Sequence, residues 1–318
     1  MTSIALNNIA LRFNLNLWIV RSWVTKEKIK TEKEATVFFE KNLHFIKATP
    51  FVKWVGWKRQ LIKQLELLFP KEFNNYFEPF VGWWAVFFNV QKEKSFLSDI
   101  NEELINTYQV IKNTPHKLIQ FLETLEFTPE CYTEIRAWDR EINGLKNHTK
   151  IERAGRFIYL NRTCFNGLHR VNSRGEFNVP MGAYKNPDFV QKENILNTSK
   201  LLKQTKAEIK LQSFEKVVDK AQSWDFVYFD PPYDTLTETA NFTNYNQSSF
   251  GRDMQTRLAE TYRELDKKWC KVMLSNHNTP FIRELYKWFK FKLVKARRNV
   301  NSNGSWRGEV EEIVVINY

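Results

Sequence analysis

Glycine is scarce in this chain and tryptophan is abundant. Glycine occurs 10 times in 318 residues and tryptophan 11 times, whereas glycine alone usually makes up roughly 7% of a protein. Glycine is the residue that adopts left-handed backbone conformations and lets a ligand approach the backbone closely. The turns at which most proteins have glycine are therefore informative positions in this sequence.

Cysteines are few, and long apolar runs are missing. The cysteines, Cys131, Cys164 and Cys270, are far apart and form neither a zinc pattern nor a disulfide framework, which predicts a reducing compartment and no metal. The apolar segment 17–20 is short and has polar neighbours, and no small-residue cleavage site follows it. We expect no signal peptide and no membrane span.

The charge indicates a class of partner. The formal net charge is +12 and the isoelectric point is about 9.4, which favours a polyanionic partner but does not bear on the fold. The length is sufficient for one large domain or two modest ones.

The most informative stretch is Asp230-Pro231-Pro232-Tyr233, which follows the apolar run 226–229. Such a run predicts a buried parallel strand, and chemistry in open α/β sheets lies at the carboxyl ends of strands. The prolines supply carbonyl acceptors but no donors. The stretch would therefore suit a planar amine, held by acceptors and stacked on an aromatic ring. The alternative is an ordinary turn at the end of a strand.

A first βα unit is predicted between residues 76 and 90, where nucleotide-like cofactors bind. A short second strand ends at Asp99, which is positioned to accept hydrogen bonds from ribose hydroxyls. The alternative role for Asp99 is to cap the helix that begins near residue 101. Residues 150–187 are rich in basic, aromatic and asparagine side chains, a mixture that contacts phosphates and reads base edges. The alternative is a solvated basic loop.

Taken in order, these stretches resemble the Dam-type (D12 class) DNA adenine-N6 methyltransferase family from residue 51 to residue 318. The stretches that carry the resemblance are residues 53–56, 77–82, 98–101, 160–187, Asp230–Tyr233, 240–243, 274–277 and 302–304. The resemblance implies a Rossmann-like α/β sheet that uses S-adenosylmethionine, with an inserted, mainly helical DNA-recognition domain that carries a β-hairpin. It implies a catalytic domain at 48–101 and 191–318 and a recognition domain at 102–190. The segment from Lys26 to Lys41 is charge-rich with helical spacing, which predicts that residues 1–47 are an extension of unknown role with one exposed helix.

The resemblance also implies roles for individual residues. The catalytic residues would be Asp230, Pro231, Pro232 and Tyr233. The cofactor-binding residues would be Trp54, Lys58, Glu78, Phe80, Gly82, Asp99 and Asp230. Residues that contact double-stranded DNA would be Lys53, Phe165, Asn166, Leu168, Arg170, Asn178, Pro180 and Tyr184. The protein would transfer a methyl group to N6 of a flipped-out adenine, as a monomer in the cytoplasm of a bacterium or as a phage product.

Some positions depart from the family's pattern. Ala183 and Phe165 stand where a basic residue and a tyrosine are common, so the GATC target implied by Arg170 and Pro180 stays open. Trp57, Trp83 and Trp84 stand where the family has glycine or another small residue. Two explanations remain: a catalytically impaired DNA-binding relative, or a gene whose UGA codons specify glycine. An RNA or protein N-methyltransferase is a further alternative, against which the recognition segment argues.

Overall fold

The computed structural model describes residues 1–12, 17–42, 46, 48–53, 58–82, 86–235, 250–297 and 309–318. Two compact units can be distinguished: Met1–Phe45, Trp57–Phe77 and Val218–Tyr318 form the first, and Ile46–Gly56 and Glu78–Val217 form the second. The division into catalytic and recognition domains that the sequence implies stays a prediction.

Seven strands form one sheet in the order β3-β2-β1-β4-β5-β7-β6. Their bounds are β1 Tyr76–Glu78, β2 Ser95–Asp99, β3 Glu208–Leu211, β4 Phe226–Phe229, β5 Lys271–His277, β6 Lys290–Arg297 and β7 Glu309–Ile316. Strand β4 is parallel to β1 and to β5, with Phe226 opposite Tyr76 and Lys271. Strand β2 is parallel to β3, and β7 is antiparallel to both β5 and β6. The protein therefore has the mixed α/β architecture that the sequence predicts.

Thirteen α-helices lie in the described residues. Their bounds are α1 Ser3–Arg12, α2 Leu17–Lys26, α3 Glu32–Asn42, α4 Lys58–Glu66, α5 Phe87–Val90, α6 Glu102–Asn113, α7 Pro115–Glu123, α8 Pro129–Ala137, α9 Lys150–Thr163, α10 Lys192–Gln204, α11 Phe214–Val218, α12 Arg252–Lys267 and α13 Pro280–Leu285. In that described part of the chain, no helix has the length and apolar character needed to cross a membrane.

Strand β4 is the centre of the first unit's core. All four of its residues are buried, as the apolar run predicts. The Phe226 ring lies 5.6 Å from that of Phe69, 5.2 Å from that of Phe73 and 5.5 Å from that of Tyr76. Tilted and edge-on aromatic pairs at these distances add to the burial of apolar area. The Asp230–Tyr233 segment therefore begins at the end of a strand that is held in place by packing.

The N-terminal region forms more structure than the single exposed helix that the sequence suggests. Helices α1, α2 and α3 share a small apolar cluster made of Ile9, Ala10, Val20, Val24 and Ala35. The sequence pattern does not reveal this cluster, because each helix contributes one or two of its five residues.

Helix α9 is central to the second unit. Its first turn is a capping box, in which Thr149 and Glu152 satisfy each other's backbone N–H groups, an arrangement that favours helix initiation. The Arg153 guanidinium pairs with Glu102 and Glu103 of α6. Helix α9 thereby becomes a fixed support for the segment that follows it, which begins at Cys164.

Candidate active site and DNA-contacting segment

The turn after β1 is held by a buried carboxylate. Glu78, only 1% exposed, accepts hydrogen bonds from the backbone N–H groups of Val86 at 2.7 Å and Phe87 at 2.8 Å. The first N–H groups of a helix need acceptors from outside it, and α5 begins at Phe87. Glu78 therefore joins the end of β1 to the start of α5.

Asp99 completes this arrangement from the end of β2. Its Oδ2 accepts from the backbone N–H of Gly82 at 3.0 Å and its Oδ1 from that of Asn101 at 2.9 Å. The cap of α6 is Asn101, whose side chain accepts from the Leu104 N–H. Asp99 is therefore not the cap. Burial raises the pKa of the Asp99 carboxyl, and the backbone hydrogen bonds oppose that rise.

The turn has features that fit a nucleoside cofactor. Gly82 has φ of +49°, a conformation in which side chains with a Cβ are disfavoured. The Phe80 ring stacks on that of Phe214 at 5.4 Å with an interplanar angle of 26°. A left-handed glycine, an aromatic ring and the half-buried carboxylate of Asp99 are therefore brought together at this turn.

The Asp230–Tyr233 segment follows β4 directly. The Pro232 carbonyl accepts from Gln255 Nε2 at 2.7 Å, and the Tyr233 hydroxyl donates to Glu312 Oε2 at 2.9 Å. The Tyr233 ring meets that of His277 edge-on, with centroids 5.0 Å apart. Burial raises the pKa of the Tyr233 hydroxyl well above its ordinary value, and Glu312 acts in the same direction. Tyr233 therefore keeps its proton and donates.

Asp234 is held by groups on several sides. Its backbone N–H donates to Asn276 Oδ1 at 2.9 Å. Its carboxylate accepts from the Thr279 hydroxyl at 2.6 Å and from Arg252 Nε at 3.4 Å. The Asp234 carbonyl lies 2.6 Å from His277 Nδ1. A carbonyl can only accept, so this His277 nitrogen carries the proton.

The segment after α9 presents an aromatic side chain to solvent. Phe165 is 51% exposed, and Asn166 and Gly167 that follow it have φ of 54° and 65°. A Cβ on Gly167 would lie 2.6 Å from Lys53 Cβ, so glycine is required there. The Phe165 N–H donates to the Pro180 carbonyl at 2.9 Å. The backbone is therefore fixed while the ring faces outward.

Lys53 lies against this turn. Its ammonium is 3.7 Å from the centroid of the Tyr184 ring and donates to the Arg162 carbonyl at 3.0 Å. Burial, followed by the charge of Arg162, lowers the pKa of Lys53. The Tyr184 hydroxyl donates to the Cys164 carbonyl at 3.1 Å.

Arg170 is exposed, and Asn178 orients it. Arg170 Nε donates to Asn178 Oδ1 at 2.7 Å, and the Asn178 N–H donates to the Arg170 carbonyl at 3.0 Å. Nearby, Val171 and Phe177 form an isolated antiparallel bridge. Leu168 is half-buried, and its carbonyl accepts from the Cys164 thiol.

This strand-like pair is fastened to the helical part of the unit. Asp139 Oδ2 accepts from the Phe177 N–H at 2.7 Å and from Arg156 Nη2 at 2.6 Å. Arg140 donates to the Phe177 carbonyl at 2.6 Å. The Asp139 role was not foreseen from the sequence, where an acid between two basic or aromatic residues is typical of a surface helix.

Several sequence-predicted residues fall outside what the structure describes. Trp54, Trp57, Trp83 and Trp84 lie there, as do residues 236–249 and 298–308. Lys58 begins α4, but its side chain is not among those described. The sequence reasoning also missed Gln255 and Glu312. The available signal for Glu312 was an acidic residue directly beside the apolar run 313–316.

The mixed α/β sheet, with an Asp-Pro-Pro-Tyr segment directly after a buried strand, is consistent with a methyltransferase fold. Over residues 54–300 the sequence matches the family described as D12 class N6 adenine-specific DNA methyltransferase. The chain belongs to this family.

Named relatives agree with this assignment. The chain is 43% identical over 275 residues to the type II methyltransferase M1.LlaDCHI of Lactococcus lactis subsp. cremoris, covering 86% of this chain and 96% of that protein. It is 43% identical over 290 residues to the type II methyltransferase M.MjaIII of Methanocaldococcus jannaschii, covering 85% and 99%. It is 38% identical over 268 residues to the DNA adenine methylase of Escherichia coli K12, covering 84% and 94%. The protein is thus an adenine-specific DNA methyltransferase, and its family implies S-adenosylmethionine as methyl donor.

Proposed function

We propose that the protein methylates N6 of an adenine that has been flipped out of a DNA duplex and is held by Asp230, Pro231, Pro232 and Tyr233. The observation that carries this proposal is the anchoring of the segment on both sides of Tyr233, at Pro232 and at Asp234. The N6 amine of a paired adenine is not accessible to an enzyme while the base is stacked. A rigid acceptor-rich segment suits an extruded base better than a paired one.

The chemistry assigned to these residues is one of positioning and electrostatics. The N6 lone pair is delocalised into the ring, which makes it a poor nucleophile. The Asp230 carboxylate and the Pro231 carbonyl would accept the two N6 hydrogens and favour a pyramidal nitrogen, while the Tyr233 ring stacks on the base. S-adenosylmethionine, when bound, supplies the electrophilic methyl group. Orientation of a near-attack geometry is the main catalytic contribution.

The cofactor is assigned to the turn after β1 and to the neighbouring carboxylate. Asp99 would accept from the ribose hydroxyls, Phe80 and Gly82 would line the turn, and Glu78 would hold its shape. The sequence resemblance adds Trp54, Lys58 and Asp230 to this set. We also propose that no metal takes part.

DNA contact is assigned to the segment after α9. Phe165 and Asn166 would enter the duplex, and Leu168, Arg170 and Pro180 would read bases, with Lys53, Asn178 and Tyr184 beside them. The exposure of Phe165 and the orientation of Arg170 by Asn178 support this proposal. The helical insertion, its hairpin and a GATC target belong to the same proposal.

We also propose a setting for the enzyme. Two relatives are named type II methyltransferases, which favours a role in restriction-modification. A monomer in a bacterial or phage-infected cytoplasm is the simplest arrangement. A catalytically impaired DNA-binding relative is the second candidate, and Trp57, Trp83 and Trp84 are the observation that favours it. The names of the relatives favour DNA over RNA or protein as substrate.

The experiment that tests the proposal measures methyl transfer to defined duplexes, with GATC set against scrambled sites. Calorimetric binding of S-adenosylmethionine separates the two candidates, because an impaired relative would bind DNA without binding the cofactor. Methylation of N6 in a duplex supports the proposal. Cofactor binding with no methylation of any adenine in DNA contradicts it.

A further inference from the structure

The last two residues of the Asp230–Tyr233 segment and the residue that follows it are each held by a polar side chain from another element of the first unit. Gln255 of α12 donates to the Pro232 carbonyl at 2.7 Å. Glu312 of β7 accepts from the Tyr233 hydroxyl at 2.9 Å. The third residue is Asp234, whose backbone N–H donates to Asn276 Oδ1 of β5 at 2.9 Å.

Two of these side chains are also joined to each other. Asn276 Nδ2 donates to Gln255 Oε1 at 3.1 Å, and the two residues are 0% and 1% exposed. The donors and acceptors therefore run in one direction, from the Asp234 N–H through both amides to the Pro232 carbonyl. Reversing either amide would leave buried groups unpaired, which is unfavourable in an interior of low dielectric.

The prolines explain why such a clamp is needed. Pro231 and Pro232 have no N–H groups, so the segment cannot anchor itself there through backbone donors. The Pro232 carbonyl and the Asp234 N–H are the nearest backbone groups on either side of Tyr233, and the clamp uses both.

We propose that Gln255, Asn276 and Glu312 are positioning residues for methyl transfer, which rests on the proposed catalytic role of Asp230–Tyr233. They touch neither the base nor the cofactor. They set the orientation of the Tyr233 ring and the positions of the Asp230 carboxylate and the Pro231 carbonyl that precede it. Small displacements of positioned groups reduce rates by up to about a hundredfold.

The test is Gln255→Glu, which keeps the shape of the side chain but removes the donor to Pro232. We expect kcat to fall roughly tenfold to a hundredfold, while the Kd for S-adenosylmethionine and the Kd for non-specific DNA change less than about twofold. Gln109→Glu is the matched control, because Gln109 also donates to a carbonyl, that of Ile209 at 3.1 Å, but away from the segment. An unchanged kcat in folded Gln255→Glu overturns the proposal.

A second pair of variants keeps the proposal testable if Gln255→Glu does not fold. Tyr233→Phe removes only the hydroxyl that contacts Glu312 and should lower kcat, whereas Glu312→Gln retains an acceptor and should preserve most of it. Equal rates in Tyr233→Phe and the parent overturn the proposal. Asp230→Ala in the same assay separates the two failures: if it stays active, the proposed function itself is wrong.

A different observation concerns the backbone at Trp269. This residue follows α12 with φ of 62° and is 77% exposed. The Trp269 N–H donates to the Asp266 carbonyl at 2.9 Å and the Cys270 N–H to the Leu265 carbonyl at 3.0 Å. This pair of bonds is the Schellman motif, in which the left-handed position is usually glycine.

Trp224 repeats the pattern in the turn before β4. It has φ of 68° and is 53% exposed. Its N–H donates to the Trp269 carbonyl at 3.0 Å, and its carbonyl accepts from the Asn74 N–H at 2.8 Å. Because both backbone groups are bonded, the turn cannot relax to a negative φ without losing them. A bulky aromatic residue in this conformation is a genuine outlier.

Trp138 shows the contrast. Its φ is −55°, and its ring stacks on that of His148 at 3.8 Å. The Trp138 ring stacks on a second ring, whereas the Trp224 ring lies beside the Lys271 ammonium at 4.5 Å and Trp269 exposes most of its surface.

We infer that Trp224 and Trp269, together with Trp57, Trp83 and Trp84, are glycine in the protein that the source cell makes. UGA codons that specify glycine in that cell, read with a code in which they specify tryptophan, would produce this substitution. The inference accounts both for the left-handed tryptophans and for the composition of 10 glycines against 11 tryptophans. It also removes the reason to regard the enzyme as impaired.

The decisive test is the mass of the peptide that spans residue 269 in protein isolated from the source cell, with the gene's codons read at the same positions. Glycine at residue 269 and UGA codons at the five positions, with UGG at Trp138, are expected. Tryptophan in the native peptide, or UGG at positions 224 and 269, overturns the inference.

A second measurement uses the protein that has tryptophan at all of these positions. Trp269→Gly should raise Tm by roughly 2 °C or more, because it relieves a disfavoured backbone conformation. Trp288→Gly is the matched control, since Trp288 is 79% exposed and is not among the residues with positive φ. Its Tm should stay the same or fall. An equal rise in both variants would assign the effect to loss of an exposed indole and contradict the inference.

Discussion

Asp99 accepts a 3.0 Å hydrogen bond from the backbone N–H of Gly82, so the carboxylate at the end of β2 holds the turn that follows β1. The turn adopts a left-handed conformation at Gly82. A residue that binds the cofactor in the proposed function therefore also shapes the loop that would surround it. This double role has a measurable consequence for stability.

The burial of Asp99 predicts a particular pH dependence. Burial raises the pKa of the carboxyl above its ordinary value of 3.8, so the folded protein holds a proton that the unfolded chain releases. Stability from this group is present at low pH and is lost as pH rises through the raised pKa. Relative to Asp99→Asn, the parent's Tm should therefore fall as pH rises above 3.8.

The measurement compares thermal unfolding of both proteins between about pH 4 and pH 7 without cofactor, a window set by the direction of the shift. Asp253→Asn is the matched control, because Asp253 lies exposed in the first turn of α12. The difference between parent and Asp253→Asn should not follow this course. A parent that gains stability over Asp99→Asn as pH rises would show that the sign is wrong.

Arg170→Ala should reduce sequence discrimination more than overall affinity. An arginine that reads a base contributes about 1–3 kcal/mol at one position of the site. The assay compares kcat/KM on duplexes that differ at single base pairs. Arg174→Ala is the control, because the Arg174 side chain is 79% exposed and pairs with Glu176 at 3.5 Å. A uniform loss across all sequences, with a smaller salt slope, would make Arg170 a phosphate contact.

Phe165→Ala should leave stability unchanged and weaken productive DNA binding. The ring is 51% exposed, so its removal should alter the free energy of unfolding by no more than about 0.5 kcal/mol. Loss of a base–aromatic contact should reduce affinity for the flipped state by about 1–3 kcal/mol. Fluorescence of 2-aminopurine at the target position reports on that state.

Leu211→Ala provides the matched control for Phe165→Ala. Leu211 is also 51% exposed, but it lies on strand β3. Its removal should leave the fluorescence change intact. If the two variants gave the same signal, Phe165 would have no special part in opening the duplex.

The sequence predicted the fully buried strand β4 and missed the edge strand β3. The run 226–229 is apolar throughout, and every residue of β4 is buried. In β3, by contrast, only Ile209 is buried, because this strand lies at the edge of the sheet. An edge strand with one buried residue has no hydrophobic pattern that separates it from a polar connection.

The sequence predicts the site residues that belong to a short motif. It does not predict the residues that reach the site only through packing. Asp230–Tyr233 and Asp99 stand out as short motifs at the ends of apolar strands. Gln255 lies in an amphipathic helix, where spacing alone does not tell which polar side chain turns inward to a carbonyl. Asp139 depends on a contact with Phe177, which is distant in sequence. Such contacts become visible only when the chain is folded.

The most direct test measures methyl transfer from labelled S-adenosylmethionine to adenine N6 in defined duplexes. The enzyme in this assay carries five substitutions: Trp57→Gly, Trp83→Gly, Trp84→Gly, Trp224→Gly and Trp269→Gly. We expect N6-methyladenine in the duplex. The chain that has tryptophan at these five positions should give a much lower rate. Asp230→Ala should lose activity while its non-specific DNA binding stays mostly intact. The proposed catalytic role of Asp230 would be contradicted if Asp230→Ala kept a rate within about tenfold of the glycine-restored parent. Such a change is a barrier difference of only about 1.4 kcal/mol.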